Sequence, residues 1–263
     1  MILNNKLLTK YILVIIMLSI TQFFGLAKAE KSYPYMPRQI NLSGNIINFS
    51  MPENFSKDFP ADDLIESYDL SKVKVGKPVE LLRRWWDFSG NSFFKKNIGT
   101  MMMTIHVYES IDTTRDISNP LDFAGVIMSE MEVRFEDENK NRANSEIVHF
   151  PKDYYLSYIE RVYNHQRWLR AGSGNENDSQ AVFHYWKPLS EKQYILVEFH
   201  FAPNNRVPMR QFIDEYCRDM LEEIMSTFDV IYANENTLKA KLEANSHLKL
   251  EKLVDEIGQK QLQ

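Results

Sequence analysis

The sequence predicts an α+β fold: an antiparallel β-sheet covered by helices on one face, plus a peripheral C-terminal helix. Three observations predict it. Strand-like runs come in neighbouring pairs around short turn signals, two segments carry apolar residues at spacings of three and four, and the order along the chain is β-β-β-β-α-β-β-β-α. The composition agrees. Hydrophobic residues make up 44% and charged residues 25% of 263, with 13% aromatic and 9 glycines, which excludes wholesale disorder and fibrous repeats.

Residues 1–29 read as a secretory signal peptide. Lys6 and Lys10 form a basic start, Tyr11–Ile20 is apolar, and Ala27-Lys28-Ala29 offers the small residues of a cleavage site. The apolar stretch is shorter than the ~20 residues a membrane-spanning helix needs, so no integral membrane segment is expected after cleavage. Removing the leader leaves 28 basic and 36 acidic residues, a formal charge of −8. That charge and the lack of a basic stripe disfavour nucleic acid and anionic membranes as partners. Cys217 is the single cysteine, so an exported chain has no intrachain disulfide and must hold together by packing.

Residues 30–38 hold two prolines and read as an extended arm, before a single α+β domain at 39–233. Gln39–Leu42 and Ile46–Met51 flank Ser43-Gly44-Asn45, a hairpin signal, and Pro52 ends the second strand. Val79–Phe88 and Thr100–Ser110 are longer strands. Asn119-Pro120 then starts a helix, with Leu121, Ala124, Ile127, Met128, Met131 and Phe135 along one stripe until the polar run Glu136–Asn141.

Residues 156–170 read as one or two strands, and Ala171–Ser179 as a polar loop. Gln180–Lys187 and Gln193–Phe201 form a hairpin around Pro188–Lys192, and Met209–Phe228 is the clearest amphipathic helix. Residues 234–263 lack aromatics, and their leucines suggest a peripheral helix with a loose end.

No catalytic, cofactor-binding or metal-binding motif emerges. The six histidines have no metal-ligand spacing, and the predicted hairpin does not set His184 opposite His200. Gly172-Ser173-Gly174 is too short for a nucleophile elbow and lacks a phosphate loop's third glycine. No cofactor is therefore expected. Two groups suit binding instead: Arg83-Arg84-Trp85-Trp86 and Arg167-Trp168-Leu169-Arg170 combine the planar donors and large rings that dominate contact hot spots. On a strand, one tryptophan of each group faces the core while its neighbours face out. The candidate partner-binding residues are Arg84, Trp85, Arg167, Trp168 and the loop Gly172, Ser173, Gly174 and Asn175, extending to Asn177.

Ile46–Phe55 (IINFSMPENF) resembles the opening of PsbP/DcrB-like domains, a strand followed by proline and an aromatic residue. The hairpin ending at Phe201 and the helix after it are similar to the way those domains close. Arg167-Trp168 and Tyr185-Trp186-Lys187-Pro188-Leu189 resemble stretches of periplasmic immunity proteins against phospholipase effectors of type VI secretion. The chain departs from many of them in lacking a lipid-attachment cysteine. The resemblance implies a periplasmic protein, not an enzyme, that neutralises a secreted effector (a lipase or peptidoglycan hydrolase) by covering its active site. The alternatives are an envelope-associated small-ligand or lipid-binding domain, suggested by the abundant methionine and aromatic residues, and a hydrolase with an unfamiliar site.

Overall fold

The computed structural model describes residues 34–53, 56, 58–59, 64–89, 97–140, 142–143, 147–149, 158–175, 181–204, 207–233 and 237–250. The expected leader at 1–29, residues 176–179 of the expected loop and the chain beyond 250 lie outside them. Strands β1 (Tyr35–Leu42), β2 (Asn45–Pro52), β3 (Ser67–Tyr68), β4 (Val79–Ser89), β5 (Asn97–Glu109), β6 (Val148–His149), β7 (Ile159–Tyr163), β8 (Gln166–Asn175), β9 (Ala181–Pro188), β10 (Gln193–Pro203) and β11 (Asp229–Ile231) make two sheets. The smaller has the order β11-β2-β1-β3; the larger runs β4-β5-β10-β9-β8-β6, with β7 also paired to β8. Helix α1 spans Pro120–Asn139. Helix α2 (209–226) joins Met209–Phe212 to Arg218–Ser226 through a π-helical turn at Ile213–Cys217, and α3 is Thr237–Ala244.

The α+β class is as the sequence predicts, but the layering differs. Along β10, Ile195, Val197, Phe199 and Phe201 belong to one buried cluster while Tyr194 and Leu196 belong to another, as alternation on a strand requires. The first cluster takes in Ile40, Ile47 and Phe49 of the small sheet and Phe212, Leu221 and Ile224 of α2. The second takes in Phe123, Ala124, Ile127, Met131 and Phe135 of α1. The two long helices therefore cover opposite faces of the larger sheet. Periodicity shows which stripe of a helix is apolar and not which side of a sheet it meets, so one-face coverage had no local signal to correct it. Each large apolar side chain buried in these layers contributes roughly 1.5–3 kcal/mol.

Local rules account for the element ends. Ser43 and Gly44 have φ of 50° and 87°, and Asn164 and His165 have 45° and 61°; successive positive values give hairpin turns whose twist matches the strands. Asn119 caps α1 by accepting from the Leu121 and Asp122 amides, ahead of Pro120. The acids Glu136–Glu138 continue that helix and do not break it. A register shift between Glu80 and Leu82 lets both Leu81 and Leu82 be buried, as a bulge permits. Gly99 has φ 154°, and a Cβ there would lie 2.7 Å from the Phe212 ring and 2.8 Å from the Ala202 carbonyl.

Two boundaries move. β1 begins at Tyr35, so the expected arm supplies four strand residues, Pro37 lying opposite Ser50. β8 runs on through Ala171–Asn175, which were expected in a loop; Gly172, Ser173 and Gly174 pair with Phe183, Val182 and Ala181 of β9. Small polar residues imitate a loop signal even where a neighbouring strand supplies every ladder partner. The tail helix α3 forms, and Leu238 and Leu250 are both buried.

Candidate functional site

Two places gather groups with chemical potential. The first lies between α1 and the larger sheet. Glu198 of β10 pairs across the ladder with Thr104 on one side and His184 on the other. His184 Nδ1 is 2.8 Å from Glu198 Oε1, and its Nε2 is 2.8 Å from Ser173 Oγ. Arg134 of α1 donates to Glu198 Oε1 at 3.0 Å, and His106 and His200 stand 3.8 and 3.7 Å from Oε2. Burial alone raises the pKa of Glu198, but the hydrogen bond from His184, the neighbouring His200 imidazole and the charge of Arg134 overcome it and hold the carboxyl well below 4.5. Burial pushes His184 and His106 below 6.5 despite that carboxylate.

An ionised Glu198 can only accept, so Nδ1 carries the imidazole proton and Nε2 accepts from the Ser173 hydroxyl. Hydroxyl, imidazole and carboxylate thus stand in the order of a nucleophile, its base and the group that orients the base. The surroundings do not suit catalysis. Ser173 is 7% exposed, His184 1% and Glu198 2%, and the Ser173 backbone lies in the ladder with β9. Among the described residues no three His, Cys, Asp or Glu side chains form a metal-holding group. The cation that answers Glu198 is the Arg134 guanidinium. What this cluster does is compensate a buried charge and lock four strands and α1 in one register.

The second place is a cavity of about 540 Å³ at the end of the larger sheet, walled by β8, β9, the chain after β11, the start of α1 and the segment α3–Ser246. Phe123, Trp168, Trp186 and Tyr232 supply rings to it. Its lid is tied down by Arg167, which donates to the carbonyls of Ser246 and Leu248 and lies 3.7 Å from Glu160, while Glu160 accepts from the Leu250 amide at 2.9 Å. Asn245 bonds Ser118, at the start of α1, at 2.8 Å. Lys187 of β9 also lines the cavity. It is 6% exposed and donates to the Arg167 carbonyl at 3.2 Å, with the Trp168 and Tyr232 rings 5.8 and 5.9 Å from its Nζ. Burial lowers its pKa to about 8, against the pull of Asp229.

The residues expected to anchor a partner do not share one surface. Trp168 is fully buried, packed edge-on against Phe228 at 5.5 Å, so it cannot meet a partner at the surface. Arg167 is spent on the chain's own tail. Ser173 and Asn175 are buried, Gly172 is exposed and Gly174 half-buried, all inside a strand. Arg84 and Trp85 lie on edge strand β4 as half-buried neighbours that point to opposite faces, and Trp85 stacks on Phe59 at 4.4 Å. Sequence reasoning missed Glu198, Arg134 and Lys187. A signal for Glu198 and His184 existed: a short turn at Pro188–Lys192 sets these two polar residues opposite each other on a face otherwise rich in apolar side chains.

No protein-family model and no curated protein matches this chain. The functional reading therefore rests on the geometry.

Proposed function

We propose that this protein works outside the cytoplasm by holding a small molecule with an apolar body, and transforms nothing. The cavity of about 540 Å³ carries this reading. Its volume falls in the range of small-ligand sites, and aromatic walls with a few polar groups are their usual lining. The chain's own α3 and Ser246 form one side of it, so binding needs no second protein. The leader-like N-terminus and the absence of a catalytic motif in the sequence support an exported binder, and the closed setting of the Ser173–His184–Glu198 cluster argues against hydrolysis there.

Calorimetric titration with dodecanol tests the reading. The chain lacking residues 1–29 is expected to take up about one equivalent, and Leu242→Trp, which fills the cavity from α3, is expected to abolish uptake. Failure of the parent protein to bind dodecanol, a dodecyl amine or dodecanoate would remove it.

A second reading keeps the immunity role and is favoured by one observation. Phe59, 44% exposed, stacks on Trp85 beside Arg84, an aromatic edge suited to a protein contact. In that reading a toxic lipase or peptidoglycan hydrolase is occluded at this edge. Loss of inhibition of a neighbour-encoded effector in Trp85→Ala, with cavity variants unaffected, would favour it over the ligand reading.

A further inference from the structure

We propose that the cavity ligand is an amphipathic anion, with a carboxylate-like head seated at Lys187 and Trp168 and an apolar body among the aromatic walls. This deepens the reading above and rests on it.

Two buried donors point to the head group. Trp168 is 0% exposed and part of the cavity wall, yet its indole N–H has no hydrogen-bond partner. Leaving a buried donor unpaired costs about 1–3 kcal/mol, so such groups in native proteins call for a partner. Lys187 is the second. An ammonium has three N–H donors, and here one goes to the Arg167 carbonyl. Among the described residues Lys187 forms no ion pair, and the carboxylate that acts on it, Asp229, does so only through space. A buried lysine is rarely left without a counter-charge.

The other charges in the wall have answers of their own. Glu160 sits beside Arg167 at 3.7 Å, and Lys239 and Glu243 of α3 are exposed to water. Lys187 is the cation left over. Its Nζ lies 5.8 Å from the centre of the Trp168 ring, so the ammonium and the unpartnered indole belong to one corner of the cavity wall, and a carboxylate or similar oxyanion is the kind of acceptor that both lack. A neutral alcohol has lone pairs for these donors but no charge to answer the ammonium, and an amine brings a second positive charge into a low-dielectric site.

The test compares dodecanoate, dodecanol and dodecyl trimethylammonium by calorimetry on the chain lacking residues 1–29. Dodecanoate is expected to bind at least tenfold more tightly than dodecanol, and the ammonium compound not at all. Lys187→Met, which keeps an unbranched chain one atom shorter and removes the charge, is expected to erase the preference while dodecanol affinity changes less than about twofold. A second arm needs no variant. Dodecanoate affinity of the parent protein should fall at least tenfold between pH 7 and about pH 10.5 as Lys187 loses its proton, dodecanol serving as control. The other titratable groups near Lys187 are Asp229 and Tyr232 from the β11 side, Arg167 and His165 from β8 and its turn, Glu160 from β7, and Lys239 and Glu243 from α3; the dodecanol control reads any change they cause in the cavity itself. Equal binding of acid and alcohol, unchanged by pH and by Lys187→Met, overturns the anion while leaving the cavity reading intact. Binding of none of the three overturns both. Short-chain acetate binding as tightly as dodecanoate would show a free-anion site and overturn the amphipathic part.

Discussion

Glu198 and His184 face each other across the β9–β10 ladder, 2.8 Å apart from carboxylate oxygen to Nδ1, with neither more than 2% exposed. A carboxylate this deep survives as an anion because Arg134 and His184 both meet it. Replacing it with a neutral isostere leaves Arg134 without its buried counter-charge. Glu198→Gln is expected to cost about 2–4 kcal/mol of stability, and Ser173→Ala, at the end of the chain of bonds, about 1 kcal/mol. Urea unfolding followed by tryptophan fluorescence measures both; equal, small effects would show that the cluster is not a coupled unit.

Stability should fall with acid in two stages. His184 and His106 have folded-state pKa values below 6.5, so the unfolded chain binds their protons first. Their contribution is complete above about pH 6.5 and is lost as pH drops towards the folded values, with a slope of at most about 1.4 kcal/mol per pH unit for each histidine. Glu198 is depressed in the folded state, so its contribution holds above about pH 4.5 and disappears as pH falls through the lower folded value. Urea midpoints between pH 4 and 8 read the first stage, and His184→Gln should flatten it.

The tryptophans divide sharply. Trp168→Ala empties a fully buried site against Phe228 and is expected to cost about 3–5 kcal/mol. Trp85→Ala, at a half-buried stack with Phe59, is expected to cost about 1 kcal/mol or less. Thermal or urea unfolding of the two variants decides between this division and a shared partner-binding role for both rings.

Arg167 holds the tail to β7 and β8. In Arg167→Ala the carbonyls of Ser246 and Leu248 lose their donor, and Glu160 keeps only the Leu250 amide. Hydrogen exchange in residues 237–250 is expected to speed up at least tenfold, with β10 unchanged. Uniform acceleration across the chain would instead assign Arg167 to global stability.

Cys217 is fully buried in the core around α2, and burial pushes its thiol pKa far up. A thiol-specific disulfide reagent should leave it unmodified in the native protein and label one equivalent in urea.

What the sequence determined by itself was local. Asn119-Pro120 placed the start of α1, Ser43-Gly44 the first hairpin turn, Pro188–Lys192 the last one, and the stripe from Met209 to Phe228 the buried face of α2, because caps, turns and periodicity act over a few residues. Only the tertiary structure decided that α1 and α2 lie on opposite faces, that Trp168 and Arg167 turn inward to the core and the tail, and that Glu198 meets Thr104 from 94 residues away and Arg134 from 64. The same holds for the cavity, whose walls come from α1, β8, β9 and α3. Burial and charge pairing across such distances depend on which strand lies beside which, and no window of neighbouring residues carries that choice.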